Sequence, residues 1–169
     1  MPLACQQKPF GRIYPDQNYG RLAFAPVSHR LLVIADDGDD PRSAAEIESG
    51  ATIVRQDQGD GYVGFGPADV WVAELAEAPR DRAATRIVRL TDDPYGYGQP
   101  QRSPDGKRIA VHANRTSEQE SIRYSFNQNY DIWEINVETR SLRQLTHGAG
   151  PEFCPRYSPD GSRLVYLTS

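Results

Sequence analysis

Cysteine is scarce in this chain: there are two in 169 residues, Cys5 and Cys154. That excludes a disulfide-stapled scaffold and any zinc site built from several thiolates. The pair is compatible with one bridge, but its spacing announces none, and two free thiols is the simpler reading. Long apolar runs are missing too. No segment approaches the roughly 20 residues that a membrane-spanning helix needs, and the opening Met1-Pro2-Leu3-Ala4-Cys5 lacks the apolar stretch of a signal peptide. Basic clusters are absent: 19 lysines and arginines lie scattered among 23 aspartates and glutamates, for a net charge of −4. Nucleic acid is therefore excluded as the main partner. Hydrophobic residues make up only 38%, below the ~45–50% usual in globular chains. With 13 prolines and 14 glycines, the composition suits many short strands joined by turns, with no long helix. The length is that of one domain with a real core.

The patterns of catalytic and metal-binding chains are also missing. His29, His112 and His147 stand apart from one another and from cysteine, so there is no zinc spacing. No Gly-x-Ser-x-Gly nucleophile elbow occurs. Gly59-Asp60-Gly61-Tyr62-Val63-Gly64 matches the dinucleotide fingerprint in letters, but Gly66-Pro67 and then a strand follow where a helix N-terminus must receive the phosphates. Asp36-Asp37-Gly38-Asp39-Asp40 offers carboxylates for calcium. Counting from Asp37, however, the fifth and sixth positions are Pro41 and Arg42 rather than an oxygen ligand and glycine, so a solvated acidic loop is the better reading. No catalytic residue, metal ligand or cofactor is expected in this chain.

What the chain does have is repetition. Ser103-Pro104-Asp105-Gly106 returns as Ser158-Pro159-Asp160-Gly161, and Leu90-Thr91 returns as Leu145-Thr146, both 55 residues on. Asp69-Val70-Trp71 returns as Asp131-Ile132-Trp133 after 62, so the order of elements is kept while loop lengths vary. In the tetrapeptide, proline presets φ for a type I turn, serine suits the first position, aspartate bonds the local backbone and glycine takes the positive φ that closes a hairpin. These residues are structural in this reading.

Strands are expected around each turn. Lys107 to Val111 and Ser162 to Tyr166 follow the two tetrapeptides. Residues 20–25 and 30–36 form a degenerate first copy about Ala25-Pro26-Val27-Ser28. Asp69 to Ala76 places Trp71, Ala73 and Leu75 on one face and Val70 and Val72 on the other, and Asp131 to Val137 sets Trp133, Ile135 and Val137 against Ile132. Both faces are apolar, as in a sheet packed on both sides, so the tryptophans belong to the core. Arg86 to Thr91 and Ser141 to Thr146 close the two units. Ala44 to Glu48 reads as a helical turn and Ala51 to Val54 as a short strand within an inserted loop.

A four-stranded unit of roughly 40–55 residues with two apolar faces is the blade of a β-propeller. Leu-Thr, then Pro-x-x-Ser-Pro-Asp-Gly, then Asp-Ile-Trp resembles the repeat of TolB-like, WD-repeat-like propellers, clearly over Leu90 to Ser169 and more weakly back to about Gly20. The expected fold is all-β, with four-stranded antiparallel blades, about two and a half of them. Residues 1–19 would be an extension, 20–97 a degenerate first blade with an insertion at about 37–68, 98–152 the second blade, and 153–169 the first hairpin of a third. Because a ring needs about four blades or more, the expectation is a fragment of a longer chain, or self-association through an open edge.

The resemblance implies a non-enzymatic scaffold that binds a protein or peptide at one mouth, often exported to the bacterial periplasm. It equally admits the gating propeller of a prolyl-oligopeptidase-like serine peptidase whose catalytic domain is separate. A sugar lyase finds no base or metal constellation here. Tyr95, Tyr97, His147, Glu152 and Phe153 fall on or beside the rim opposite the Ser-Pro-Asp-Gly turns, as do residues 37–68 and 114–130. Aromatic residues among polar ones on loops are what interfaces use, so these five are the candidate partner-binding residues.

Overall fold

Short apolar runs bounded by turn residues set the architecture. The computed structural model describes residues 22–24, 29–35, 44–50, 68–75, 86–115 and 129–168. Its elements are β1 (Leu22–Phe24), β2 (Arg30–Ala35), α1 (Ala44–Ser49), β3 (Asp69–Glu74), β4 (Arg86–Arg89), β5 (Tyr97–Arg102), β6 (Arg108–Ala113), β7 (Asp131–Asn136), β8 (Leu142–Gln144), β9 (Glu152–Tyr157) and β10 (Leu164–Thr168). They form two four-stranded sheets, β1-β2-β3-β4 and β5-β6-β7-β8, and a two-stranded hairpin of β9 and β10. Every pairing is antiparallel. The expected four-strand order is therefore observed, and the helical turn at Ala44 is α1. The turn at 25–28, the strand at 51–54, the Gly59–Gly64 stretch, the 36–40 acidic loop and Cys5 lie outside the described residues. Among the described residues no helix is long and apolar enough to cross a membrane.

The two hairpins are closed by the same set of bonds. Gly106 and Gly161 have φ of 73° and 71°, and each donates its N–H to the carbonyl of the turn serine, at 2.9 and 2.8 Å. The serine hydroxyls of Ser103 and Ser158 accept from the Arg108 and Arg163 N–H groups at 3.0 and 2.9 Å. Asp105 and Asp160 accept from the amides two residues on. Bonds from the Ser158 and Ser162 hydroxyls hold the Asp160 carboxyl down at about 2. The serine hydroxyl and the aspartate carboxylate of each tetrapeptide are both engaged in bonds within its own turn.

Alternation then decides which faces meet. Leu32, Ile34, Val70, Val72 and Leu90 from the first sheet pack with Tyr97, Ile109, Val111, Ala113 and Ile135 from the second, with Trp133, Val137 and Leu142 at the margin. Trp71 sits with Leu31, Val33, Ala35 and Ala73 on the opposite face of the first sheet. Trp133 thus meets the preceding sheet, as a packed-blade core requires. Each fully buried aliphatic side chain contributes about 1.5–3 kcal/mol. An exposed ion pair such as Arg30–Glu74 contributes about 0–1 kcal/mol. Burial between sheets therefore dominates stability.

One feature left no mark in the sequence. Gln99 and Cys154, 55 residues apart, both have positive φ, 48° and 54°, at shifts of register in the first strands of their units. These are β-bulges carried by non-glycine residues. They are linked, since the Cys154 N–H donates to the Gln99 side-chain oxygen at 2.6 Å. Cys154 itself has a free thiol.

Candidate functional site

Antiparallel connectivity puts the Ser-Pro-Asp-Gly turns at one end of the sheets. The β6–β7 connection, the segment from Thr91 to Gly96 and the segment from Thr146 to Pro151 lie at the other. What ties that second end together are the two remaining repeat motifs. The Thr91 hydroxyl accepts from the Val70 N–H at 3.0 Å and donates to the Asp69 carboxylate at 2.7 Å. In the next unit the Ile132 N–H donates to the Thr146 hydroxyl at 2.8 Å. Leu90 and Leu145 donate backbone N–H groups to Val70 and Ile132. Leu-Thr and Asp-x-Trp recur together because the threonine of one caps the strand that starts at the aspartate of the other.

The sequence candidates fall into two groups, one at each connection. In the first, Tyr97 is buried, 4% exposed. Its hydroxyl donates to Asp93 at 2.7 Å and accepts from Arg115. Burial, then the Asp93 carboxylate, pushes its phenol well above the ordinary value. Tyr95 is half-buried, with the Arg115 guanidinium 4.4 Å from its ring centroid, and the same guanidinium lies 5.1 Å from the Trp133 ring. Arg115 also pairs with Asp93. It is the clamp of this connection, holding a carboxylate and a phenol while seated between two aromatic rings.

In the second group, Phe153 is half-buried and packs against His112 and Tyr130, with centroids 5.5 and 5.3 Å away. His112 is 2% exposed, and burial lowers its imidazole to about 4. A Cβ on Gly98 would lie 2.1 Å from His112 Nε2, so the glycine is what admits the ring. Glu152 is buried at the start of β9, while His147 is exposed on the connection before it. The structure does not bring the five candidates into one cluster. Asp93, Arg115, His112 and Tyr130 were not singled out as site residues in the sequence. Arg115 lies four residues past the expected strand at 107–111 and two past the end of β6, so no sequence signal marked it.

Asp69 is fully buried, and burial pushes its carboxyl up to about 6 although Thr91 and Arg89 both donate to it. Among the described residues no three His, Cys, Asp or Glu side chains are grouped to hold a metal ion.

No family model matches the sequence. The chain is 28% identical over 166 residues to the uncharacterized protein Atu1656 of Agrobacterium fabrum, covering 92% of this chain and 48% of that protein. It is 34% identical over 84 residues to the uncharacterized peptidase YuxL of Bacillus subtilis, covering 50% of this chain and 11% of that one. Among solved structures, TolB from Acinetobacter baumannii superposes with a TM-score of 0.54 at 16% identity, over 88% of this chain and 26% of that one. The chain thus spans less than half the length of each of these proteins. Two four-stranded antiparallel sheets packed against each other, each with a threonine hydroxyl accepting from the strand that starts at Asp-x-Trp, give this chain the fold of part of a TolB-like β-propeller.

Proposed function

We propose that the chain is a non-enzymatic propeller module that binds a protein or peptide on the rim opposite its Ser-Pro-Asp-Gly turns. The observation that carries this reading is where the interaction-prone side chains lie: Tyr95, Arg115, His147 and Phe153 are all at that end. The blade division at 20–97, 98–152 and 153–169 is part of the proposal. So is the completion of the third unit at β10, where Val165 and Leu167 are 65% and 63% exposed. The equivalent strands β2 and β6 each pair with a strand that starts at Asp-x-Trp. The open edge of β10 would take such a strand from a longer chain or from a second copy.

The test is capture of binding proteins by immobilised wild type and by Tyr95→Ala, His147→Ala and Phe153→Ala, with Asp105→Asn on the opposite end as control. Proteins held by wild type and the control but lost by rim variants support the reading. Equal capture by all of them overturns it. A second reading, the gating propeller of a prolyl-oligopeptidase-like serine peptidase, is favoured by the similarity to YuxL, a protein named as a peptidase. A Gly-x-Ser-x-Gly segment encoded downstream in the same frame would support that reading over the first.

A further inference from the structure

The two rim connections occupy equivalent places in successive units but differ in charge. In the first, Asp69, Asp92 and Asp93 are matched by two guanidinium groups. Arg89 bonds Asp69 through Nε at 3.0 Å and pairs with Asp92 at 3.1 Å, and Arg115 pairs with Asp93. In the second, strand register sets Gln144 where Arg89 stood: Trp71 lies opposite Arg89, and Trp133 lies opposite Gln144. The 55-residue period likewise sets His147, Gly148 and Glu152 where Asp92, Asp93 and Tyr97 stood.

The substitutions leave two buried carboxyl groups, Asp131 at 9% and Glu152 at 5% exposure, with no guanidinium or ammonium group bonded to either among the described residues. Gln144 donates to Asp131, and the two acids interact electrostatically. Asp131 Oδ1 and Glu152 Oε2 are both buried without a hydrogen-bond partner. Buried carboxylate oxygens left unpaired are unfavourable, so this pair is arranged for a cation: among the described residues the basic group acting on Asp131 is the exposed His147 imidazole, and no guanidinium or ammonium is bonded to either acid.

Resting on the rim-binding reading above, we propose that Asp131 and Glu152 receive an arginine side chain of the protein or peptide partner. The first unit names the chemistry, since guanidinium groups fill the matching place there. A guanidinium has five donors in a planar fork and can serve two separate carboxylates at once, which a lysine ammonium does less well. Calcium needs six to eight oxygens, and among the described residues only two carboxyl groups meet here. The cover over the pair is thin. His147, Gly148 and Ala149 are exposed, and a Cβ on Gly148 would lie 2.5 Å from Glu152 Oε1.

The experiment is an NMR titration of the full chain at pH 7 with acetyl-Gly-Arg-Gly-amide and with its glutamine counterpart. The arginine peptide is expected to shift the amides of Asp131, Gly148 and Glu152 saturably, at least tenfold more tightly than the glutamine peptide. Gln144→Arg restores the internal guanidinium of the first unit, and is expected to raise the melting temperature and abolish the arginine response. The isosteric pair Asp131→Asn with Glu152→Gln is expected to abolish it as well. Equal responses to the two peptides, or an undiminished arginine response in Gln144→Arg, overturns the proposal. Saturable shifts with calcium chloride at these residues, and none with the arginine peptide, overturn it too. A partner captured equally by wild type and Gln144→Arg but lost by Tyr95→Ala would leave rim binding standing and remove the arginine site.

Discussion

The contact between the first and second sheets is mainly aliphatic, with Leu32, Ile34, Val70 and Val72 against Ile109, Val111 and Ile135, and Tyr97 and Trp133 beside them. The contact between the second sheet and the β9–β10 hairpin uses other chemistry. There His112 packs against Phe153 and Tyr130. The Tyr157 hydroxyl donates to Glu134 at 2.8 Å, and the Arg108 guanidinium lies 5.4 Å from the Tyr157 ring. One fold therefore tolerates two kinds of interface between equivalent elements, because the blade geometry is set by turns and strand pairing rather than by the identity of the packed groups. The aliphatic contact supplies stability. The polar one is expected to make the hairpin respond to protonation and, weakly, to salt.

Core truncation tests that division most strongly. Ile109→Ala, in a fully buried position, is expected to cost about 4 kcal/mol through lost burial and the cavity left behind. Phe153→Ala is expected to cost about 1–2 kcal/mol, because the ring is only half-buried. Urea unfolding of both variants measures this. Equal costs would erase the distinction between the two interfaces.

The pH dependence has opposite signs in the two regions. His112 titrates near 4 when folded and near about 6.5 when unfolded. Its contribution is therefore present above about pH 6.5 and is lost as the pH falls through 4, up to about 3 kcal/mol for the full shift. Asp69 is raised to about 6 from about 3.9 unfolded. Its contribution is complete below about pH 3.9 and is lost as the pH rises through 6. The two effects offset each other in wild type between pH 4 and 6. Asp69→Asn should expose the full acid loss due to His112, and His112→Phe should leave a protein that gains stability on acidification. Urea midpoints across pH 4 to 7 decide it, and parallel curves for the two variants would refute the assignment.

Much of this arrangement was legible in the sequence, and for a physical reason. Period two places Trp71 and Val70 on opposite faces whatever lies beyond them, and Ser-Pro-Asp-Gly closes its hairpin with atoms no more than five residues apart. Local geometry can be read locally. The Thr91–Asp69 bond spans 22 residues and the Cys154–Gln99 bond 55. Such contacts depend on how strands and sheets stack, and no residue type announces them. Gln99 and Cys154 hold positive φ without the glycine that would have signalled it. Tyr95 and Phe153 could be placed at one end from the strand order alone. That Arg115 joins Tyr95 to Tyr97, and that Glu152 faces Asp131, follows only from the packed structure.

The smallest expected effect isolates the ionic part of the second interface. Glu134 is nearly buried and accepts from Arg143 at 2.7 Å, Tyr157 at 2.8 Å and Arg108 at 3.5 Å. Both arginines reach solvent, so salt screens their attraction and the ion pairs contribute little. Most of what Glu134 supplies is an acceptor for the Tyr157 hydroxyl. Glu134→Gln keeps an oxygen in place and removes the charge. It is expected to cost about 1 kcal/mol at low salt and less at 1 M sodium chloride, where the Debye length falls to about 3 Å. Glu134→Leu, which also removes the acceptor, should cost about 1–2 kcal/mol at any salt because the half-buried Tyr157 hydroxyl loses its partner. If the two variants cost the same and respond to salt alike, the hairpin is held by its aromatic contacts, and the second interface differs from the first in shape but not in its dependence on charge.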